Sequence, residues 1–327
     1  MTSSPSVRLH RLTDENRIDV EHLLYQYRNN LCFPLRILRE KEIGEIVSSL
    51  RKNVFCRVLV SDGDVFGAIV AEKSAWDSSH FGFGVGKIKR VVVSDILKGQ
   101  NVLGAREVLI KSCMKWMKRN EVKCIMTRVD LDSVDDILAY GKNGFQLADV
   151  LVTFHLDIHA VNPASDSRSG ESIIIRPSRP EDVATLMEIA RTSFTKDHFH
   201  RDLHFPQDKS DELFAKWVDN CCNGLANIVL VAAEKNKEPC GFITCRTEEV
   251  GPKSKYGVID LVAVSPSRQG RGIGTRLVRE AVIWFERAQN VQSIFVGTQA
   301  NNISSIRTYE KVGFRLLCTE LTLHKWF

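Results

Sequence analysis

The sequence lacks the marks of several protein classes. Its nine cysteines, at 32, 56, 113, 124, 221, 222, 240, 245 and 318, include no Cys-x-x-Cys pair, and most lie inside apolar runs. That distribution speaks for reduced core thiols and against a disulfide framework or a zinc site. No apolar run approaches the roughly 18 residues of a membrane span. The stretch Met1 to Arg11 carries no apolar signal core, so a cytoplasmic protein is expected. Lys/Arg blocks are missing as well, and the net charge is only +5 over 327 residues. This excludes a dedicated nucleic-acid binder and leaves room for an anionic small molecule. Two phosphate signatures are absent: the Walker loop and the Gly-x-Gly-x-x-Gly dinucleotide fingerprint.

What is present is an ordinary globular composition, 43% apolar and 26% charged, in a chain long enough for two domains. Strand and helix patterns alternate along both halves, which predicts an α/β fold. Cys56 to Val60 and Val65 to Glu72 read as a hairpin around Ser61-Asp-Gly-Asp64. Leu103 to Arg119 reads as an amphipathic helix. A polar, turn-rich run follows His159 and ends near Ser172. It divides the chain into residues 1–157, a linker at 158–171, and residues 172–327.

The two halves repeat. Ala139-Tyr-Gly-Lys-Asn-Gly-Phe-Gln-Leu147 lies over Thr308-Tyr-Glu-Lys-Val-Gly-Phe-Arg-Leu316, setting Tyr140 against Tyr309, Gly144 against Gly313 and Phe145 against Phe314. Such self-similarity predicts two copies of one fold. The copies differ at one loop. In the second half an apolar strand, Tyr256 to Val264, runs into Ser265-Pro-Ser-Arg-Gln-Gly-Arg-Gly-Ile-Gly-Thr-Arg-Leu-Val278 and then a helix with Ile273, Leu277, Ala281 and Trp284 on one face. A helix start offers unpaired N–H groups and a positive dipole end, and glycines let a phosphate approach the backbone. The loop therefore reads as a diphosphate cradle. The first half has Lys98-Gly-Gln-Asn-Val-Leu-Gly104 at the matching place, without the glycine pattern.

The spacing Gln269-x-x-Gly272-x-Gly274 resembles the pyrophosphate loop of the GNAT superfamily of N-acetyltransferases. The resemblance implies two tandem GNAT-like domains, each a mixed, mostly antiparallel sheet flanked by helices, with the N-terminal copy degenerate. It implies acetyl-CoA as co-substrate and no metal. Backbone groups of Gln269, Gly270, Arg271, Gly272 and Gly274, with the Thr275 hydroxyl, would hold the diphosphate. Arg268 and Arg271 either pair with phosphate or are simply solvated. The strand before the loop would splay from its neighbour, so that Val262, Ala263 and Val264 bind the thioester and stabilise its oxyanion. Asn302 would touch the cofactor, and Tyr309, two helical turns on, would protonate the departing thiolate; packing of Tyr309 against Phe314 is the alternative.

Two further stretches narrow the resemblance. Ala75-Trp-Asp-Ser-Ser-His-Phe-Gly-Phe83 is similar to the Trp-Asp-x-x-x-Phe-Phe-Gly signature of the TDP-fucosamine acetyltransferase family, without an exact Phe-Phe-Gly. The segment Thr192 to Pro206 and Gly297-Thr-Gln-x-x-Asn302 extend the likeness. A nucleotide-linked amino sugar is the acceptor it implies. Trp76, Phe81, Thr298 and Gln299 would line the acceptor site, or the rings would instead plug an interface. His198, His200, Arg201 and His204 could meet phosphate, His200 foremost. No general base stands out among Glu248, Glu249 and Asp260. A protein, peptide or other small-amine acetyltransferase and a non-enzymatic acetyl-CoA sensor remain alternatives. The oligomeric state stays open, a homodimer included.

Overall fold

A computed structural model describes residues 8–29, 31, 34–50, 54–94, 100–160, 173–234, 237–250, 254–289 and 291–327. In chain order the first half runs β1 (Arg8–Arg11), α1 (Asp14–Asn29), α2 (Leu35–Ser49), β2 (Phe55–Ser61), β3 (Asp64–Lys73), α3 (Ala75–Phe81), β4 (Gly84–Val93), α4 (Gln100–Arg119), β5 (Val122–Asp130), α5 (Val134–Lys142) and β6 (Gln146–Asp157). The second half runs β7 (Ile173–Pro177), α6 (Val183–Ser193), α7 (His198–Arg201), α8 (Gln207–Asn220), β8 (Ile228–Glu234), β9 (Pro239–Val250), β10 (Ser254–Val264), α9 (Ile273–Trp284), β11 (Ser293–Gln299), α10 (Ile303–Val312) and β12 (Arg315–Trp326). The β2–β3 hairpin turns at Asp62 and Gly63, both at positive φ, as the Asp-Gly pair predicts. The short helix α7 is one that the sequence pattern did not announce.

The chain forms two compact units whose boundaries differ from the sequence division. One unit comprises residues 1–150 with 319–327, the other residues 151–318. The cause is an exchange of final strands. In the first unit the sheet order is β1-β2-β3-β4-β5-β12, and β12 pairs antiparallel with β5 from Glu320↔Asp130 to Trp326↔Cys124. In the second unit the order is β6-β11-β10-β9-β8-β7, and β6 pairs antiparallel with β11 from Ser293↔Asp157 to Gln299↔Leu151. Each sheet is mixed: β4–β5 and β10–β11 are parallel, and the neighbouring pairs within each unit are antiparallel. The expected linker begins as a helical turn at Ile158–Ala160, anchored where the Ile158 N–H donates to the Gln292 carbonyl at 3.0 Å. Residues 161–171 of it lie outside the described residues, as do Lys98 and Gly99 of the loop in the first half.

Burial follows the apolar periodicity of each element. In the first unit α1 and α2 cover one face of the sheet through Val20, Leu24, Ile43 and Ile46 over Val58, Ala68 and Val70. The helices α4 and α5 cover the other face through Leu109, Cys113, Met117 and Tyr140. In the second unit α9 and α10 pack Leu277, Val278, Ala281, Tyr309 and Val312 against Ile243, Ile259, Ile294 and Val296, with Phe154 and Leu156 of β6 in the same core. Burying side chains of this size contributes about 1.5–3 kcal/mol each. That gain fixes which strand edge and which helix start remain available for a ligand.

Candidate active site

The site is built on β10. Its parallel pairing with β11 runs from Tyr256↔Ser293 to Ile259↔Val296 and goes no further. Val262, Ala263 and Val264 pair on one side only, with Ile243, Phe242 and Gly241 of β9. A bulge at Asp260 and Leu261 separates the two stretches, and bulges bend a strand away from its neighbour. Side chains of β9 hold the bulge. The Leu261 N–H donates to the buried Thr244 hydroxyl at 3.0 Å. Arg246 grips Asp260 through two bonds of 2.9 and 3.1 Å, and it also touches Glu248. Two of the candidate bases, Asp260 and Glu248, are thus tied to a guanidinium.

The loop after β10 is fastened at both ends. The Ser265 N–H donates to the Cys240 carbonyl at 2.8 Å, and the Gln269 side chain donates to the Val264 carbonyl at 3.0 Å. Gly270 and Gly272 both sit at φ +77, where other residues are strained, and a Cβ at either would meet nothing within 4 Å. Gly272 caps α9, whose first N–H groups have no acceptor within the helix. The cradle is therefore an open helix start with bare backbone, suited to a diphosphate. Gly274 and Thr275 lie in its first turn. Arg268 is committed to Glu234 at 2.8 Å, and Arg271 is exposed.

Across from β10, α10 carries a chain of polar contacts. The Asn302 amide donates to the Thr298 hydroxyl at 3.1 Å and to the Ser305 hydroxyl at 2.8 Å. Ser305 in turn hydrogen-bonds the Tyr309 phenol, which is buried between Phe154 and Phe314 at ring distances of 5.8 and 5.9 Å. Burial holds the phenol proton well above the usual range, with Ser305 working the other way. Tyr309 is thus both a core aromatic and a protonated phenol with a polar partner. Ser305 escaped the sequence reading; its position one turn before Tyr309 on the Asn302 face was the available signal.

The first unit repeats this frame and fills it. Tyr140 packs on Phe145 at 4.9 Å, and β4–β5 pairing likewise stops at Ile88↔Thr127. Beyond that point Arg90 of β4 and Asp130 of β5 are joined at 3.3 Å. Arg39 adds bonds to Asp130 at 2.6 Å, Glu42 at 2.9 Å and Glu320 at 2.7 Å, while the Tyr27 hydroxyl donates to Asp130 at 2.5 Å. A buried ion network stands where the second unit has an unpaired strand edge. The aromatic segment lies in this unit: Trp76 is 49% exposed and stacked on His80 at 5.1 Å, whereas Phe81 is buried. Phe81 therefore serves packing within its own unit.

His200 belongs to the second unit and is fully engaged. One ring nitrogen meets Asp197 and the other meets Asp211 at 3.0 Å. That leaves no ring nitrogen for a phosphate, contrary to the expectation from its sequence setting. The reason is the turn α7, which folds His200 back toward its own cap residue Asp197. Thr298 is buried, and Gln299 is half-buried at the end of β11. Among the described residues no cluster of His, Cys, Asp or Glu is arranged to hold a metal ion. No helix among them is long and apolar enough to cross a membrane.

A strand with one bare edge of backbone groups, leading at once into a bare helix start, is the architecture of an acyl-CoA-dependent transferase. Comparison with known proteins makes the class specific: residues 184–314 match the acetyltransferase (GNAT) family, so this part of the chain is a GNAT acetyltransferase domain, that of an acetyl-CoA-dependent acyltransferase. It is 27% identical over 80% of its length, and 84% of the relative's, to the spore coat polysaccharide biosynthesis protein SpsD of Bacillus subtilis (strain 168). Among solved structures, a GCN5-related N-acetyltransferase from Sphaerobacter thermophilus superposes with a TM-score of 0.63 at 14% identity, covering 98% of this chain and 95% of that one. A tandem GNAT protein from the clavulanic acid biosynthesis pathway gives 0.61 at 12% identity, covering 98% of both chains. These structural likenesses establish the tandem fold.

Proposed function

We propose that the protein moves acetyl from acetyl-CoA to the amino group of a nucleotide-linked amino sugar, by direct transfer in a ternary complex in the cytoplasm. The observation that carries the acceptor class is the likeness to a polysaccharide-biosynthesis protein across both halves of the chain, not the cradle half alone. In this reading the backbone of Gln269 to Gly274 and the Thr275 hydroxyl hold the diphosphate. The free edge of Val262 to Val264 receives the thioester carbonyl, and its N–H groups stabilise the oxyanion of the attacked carbonyl. Asn302 contacts the pantetheine arm. Tyr309 gives its proton to the departing thiolate, a role that suits a phenol kept neutral by burial. Thr298 and Gln299, at the end of β11 in the same unit, are acceptor contacts.

CoA release measured against a panel of dTDP- and UDP-linked amino sugars, peptides and polyamines tests this reading. Turnover confined to amino-sugar nucleotides is expected. Preferred turnover of peptides or polyamines would replace the acceptor, and acetyl-CoA binding without turnover of any amine would replace the enzyme with a sensor. Titration should also give one acetyl-CoA per chain, since the ion network closes the matching place in the first unit.

A further inference from the structure

The two units place different chemistry beside equivalent tyrosines. The alignment that sets Tyr140 against Tyr309 sets Asp136 against Ser305. Both residues lie one helical turn before their tyrosine, and residues so spaced share a helix face. In the first unit Asp136 forms an ion pair with Arg106 and bears on Tyr140 as a negative charge, making loss of the phenol proton harder. In the second unit the neutral hydroxyl of Ser305 bonds the phenol and makes that loss easier. The Tyr309 ring itself packs between Phe154 and Phe314.

The orientation of that hydroxyl follows from its other contact. A serine oxygen offers one O–H and two lone pairs. One lone pair of Ser305 accepts the Asn302 amide at 2.8 Å, and Asn302 is itself fixed by Thr298 at 3.1 Å. Asn302 thus holds Ser305 on the helix face of Tyr309, one turn before it, and the Ser305 O–H remains to serve the phenol. We propose that Ser305 is a positioning residue for the acetyl transfer: it steadies the Tyr309 oxygen and donates a hydrogen bond to it as the phenol gives up its proton. The inference rests on the acid role of Tyr309 stated above. When the C–S bond of the thioester breaks, sulfur takes the electron pair and then the phenol proton. The phenolate accepts the Ser305 O–H, and the proton shed by the acylated amine returns to the phenol through solvent. Thr298, Asn302, Ser305 and Tyr309 thus act in series, and the exchange of Ser for Asp is one chemical reason the first unit does not repeat the reaction.

The test is a double-mutant cycle on the full chain with Ser305→Ala, Tyr309→Phe and both together, and Ser305→Thr as the conservative variant. CoA release from acetyl-CoA is followed with a dTDP-linked 4-amino-4,6-dideoxyhexose and, separately, with water as acceptor, because departure of the thiolate is common to both. Ser305→Ala should lower kcat about tenfold, the worth of one hydrogen bond to a developing charge, with acetyl-CoA affinity changed less than about twofold. Ser305→Thr should recover most of kcat. In the Tyr309→Phe background, Ser305→Ala should have no further effect. An unchanged kcat in Ser305→Ala, a loss that Thr does not repair, or independent multiplication of the two losses would each overturn the proposal. An unchanged kcat in Tyr309→Phe would overturn the acid role itself, and the Ser305 proposal with it. Turnover with water but not with the amino sugar would overturn only the acceptor.

Discussion

Arg246 and Asp260 meet through two hydrogen bonds, 2.9 and 3.1 Å long, at the place where β10 parts from β11. The pair holds the bulge from one side while Thr244 holds it from the other through the Leu261 N–H. The free edge proposed to receive the thioester is thus a product of side chains on β9. Arg246→Ala should leave Asp260, whose side chain is only 10% exposed, as an unpaired carboxylate beside Glu248. The expected cost is about 2 kcal/mol, below that of a wholly buried pair. Calorimetric melting should show it, and acetyl-CoA affinity should fall alongside; retention of full affinity at the lowered melting temperature would detach the bulge from binding.

Gly272→Val tests the cradle. The position lies at φ +77, which costs a non-glycine residue about 1–2 kcal/mol, and a β-branched one at least that. A Cβ there meets nothing within 4 Å, so the unit should still fold. The added side chain would stand where the proposed diphosphate approaches the backbone. Acetyl-CoA binding measured by titration calorimetry should drop beyond detection while the far-ultraviolet spectrum stays that of the parent; ordinary binding would remove the cradle.

His200 predicts a pH dependence. Burial pulls its pKa down, but hydrogen bonds and charge from Asp197 and Asp211 outweigh this and hold it above the usual histidine value. A group whose folded pKa is raised adds stability that is fully present below the unfolded value, ~6.5, and is lost as pH rises through the folded value. Between pH 6 and pH 9 the parent protein should therefore lose more of its melting temperature than His200→Gln does. Equal losses would show that the ring is not protonated between the two carboxylates.

Deleting residues 319–327 tests the exchanged strand. It removes Leu321 and Leu323 from the first core and Glu320 from Arg39. It also leaves β5 as a bare edge from Cys124 to Asp130, a site for aggregation. Amide protection in β4 and β5, read by hydrogen exchange, should collapse although every residue of the first 150 is present. Retained protection would mean that the N-terminal half folds by itself.

Much of this was legible in the chain. The Asp-Gly hairpin, the repeat around Tyr140 and Tyr309, and the loop from Gln269 to Gly274 rest on local rules: turn chemistry, periodicity, and the need for glycine at positive φ. Such rules act over a few residues, so they survive in a linear reading. Ser305 is marked too by its place one turn before Tyr309 on the Asn302 face. The role of His200 was not, because its second partner, Asp211, is brought to it only when α8 packs against α7.

By itself, then, the sequence determined two copies of one α/β fold and the glycine-bearing loop that only the second copy carries. The tertiary structure decided which strands complete which sheet. Alternating faces do not say which edge β6 or β12 will meet; folding sets β6 against Ser293 to Gln299 and β12 against Cys124 to Asp130. It also decided which repeat stays open. A charge on β4 or α2 says nothing about its partner until the chain folds, and folding sets Arg39 and Arg90 against Asp130 in one unit while Thr244 and Arg246 hold β10 apart in the other.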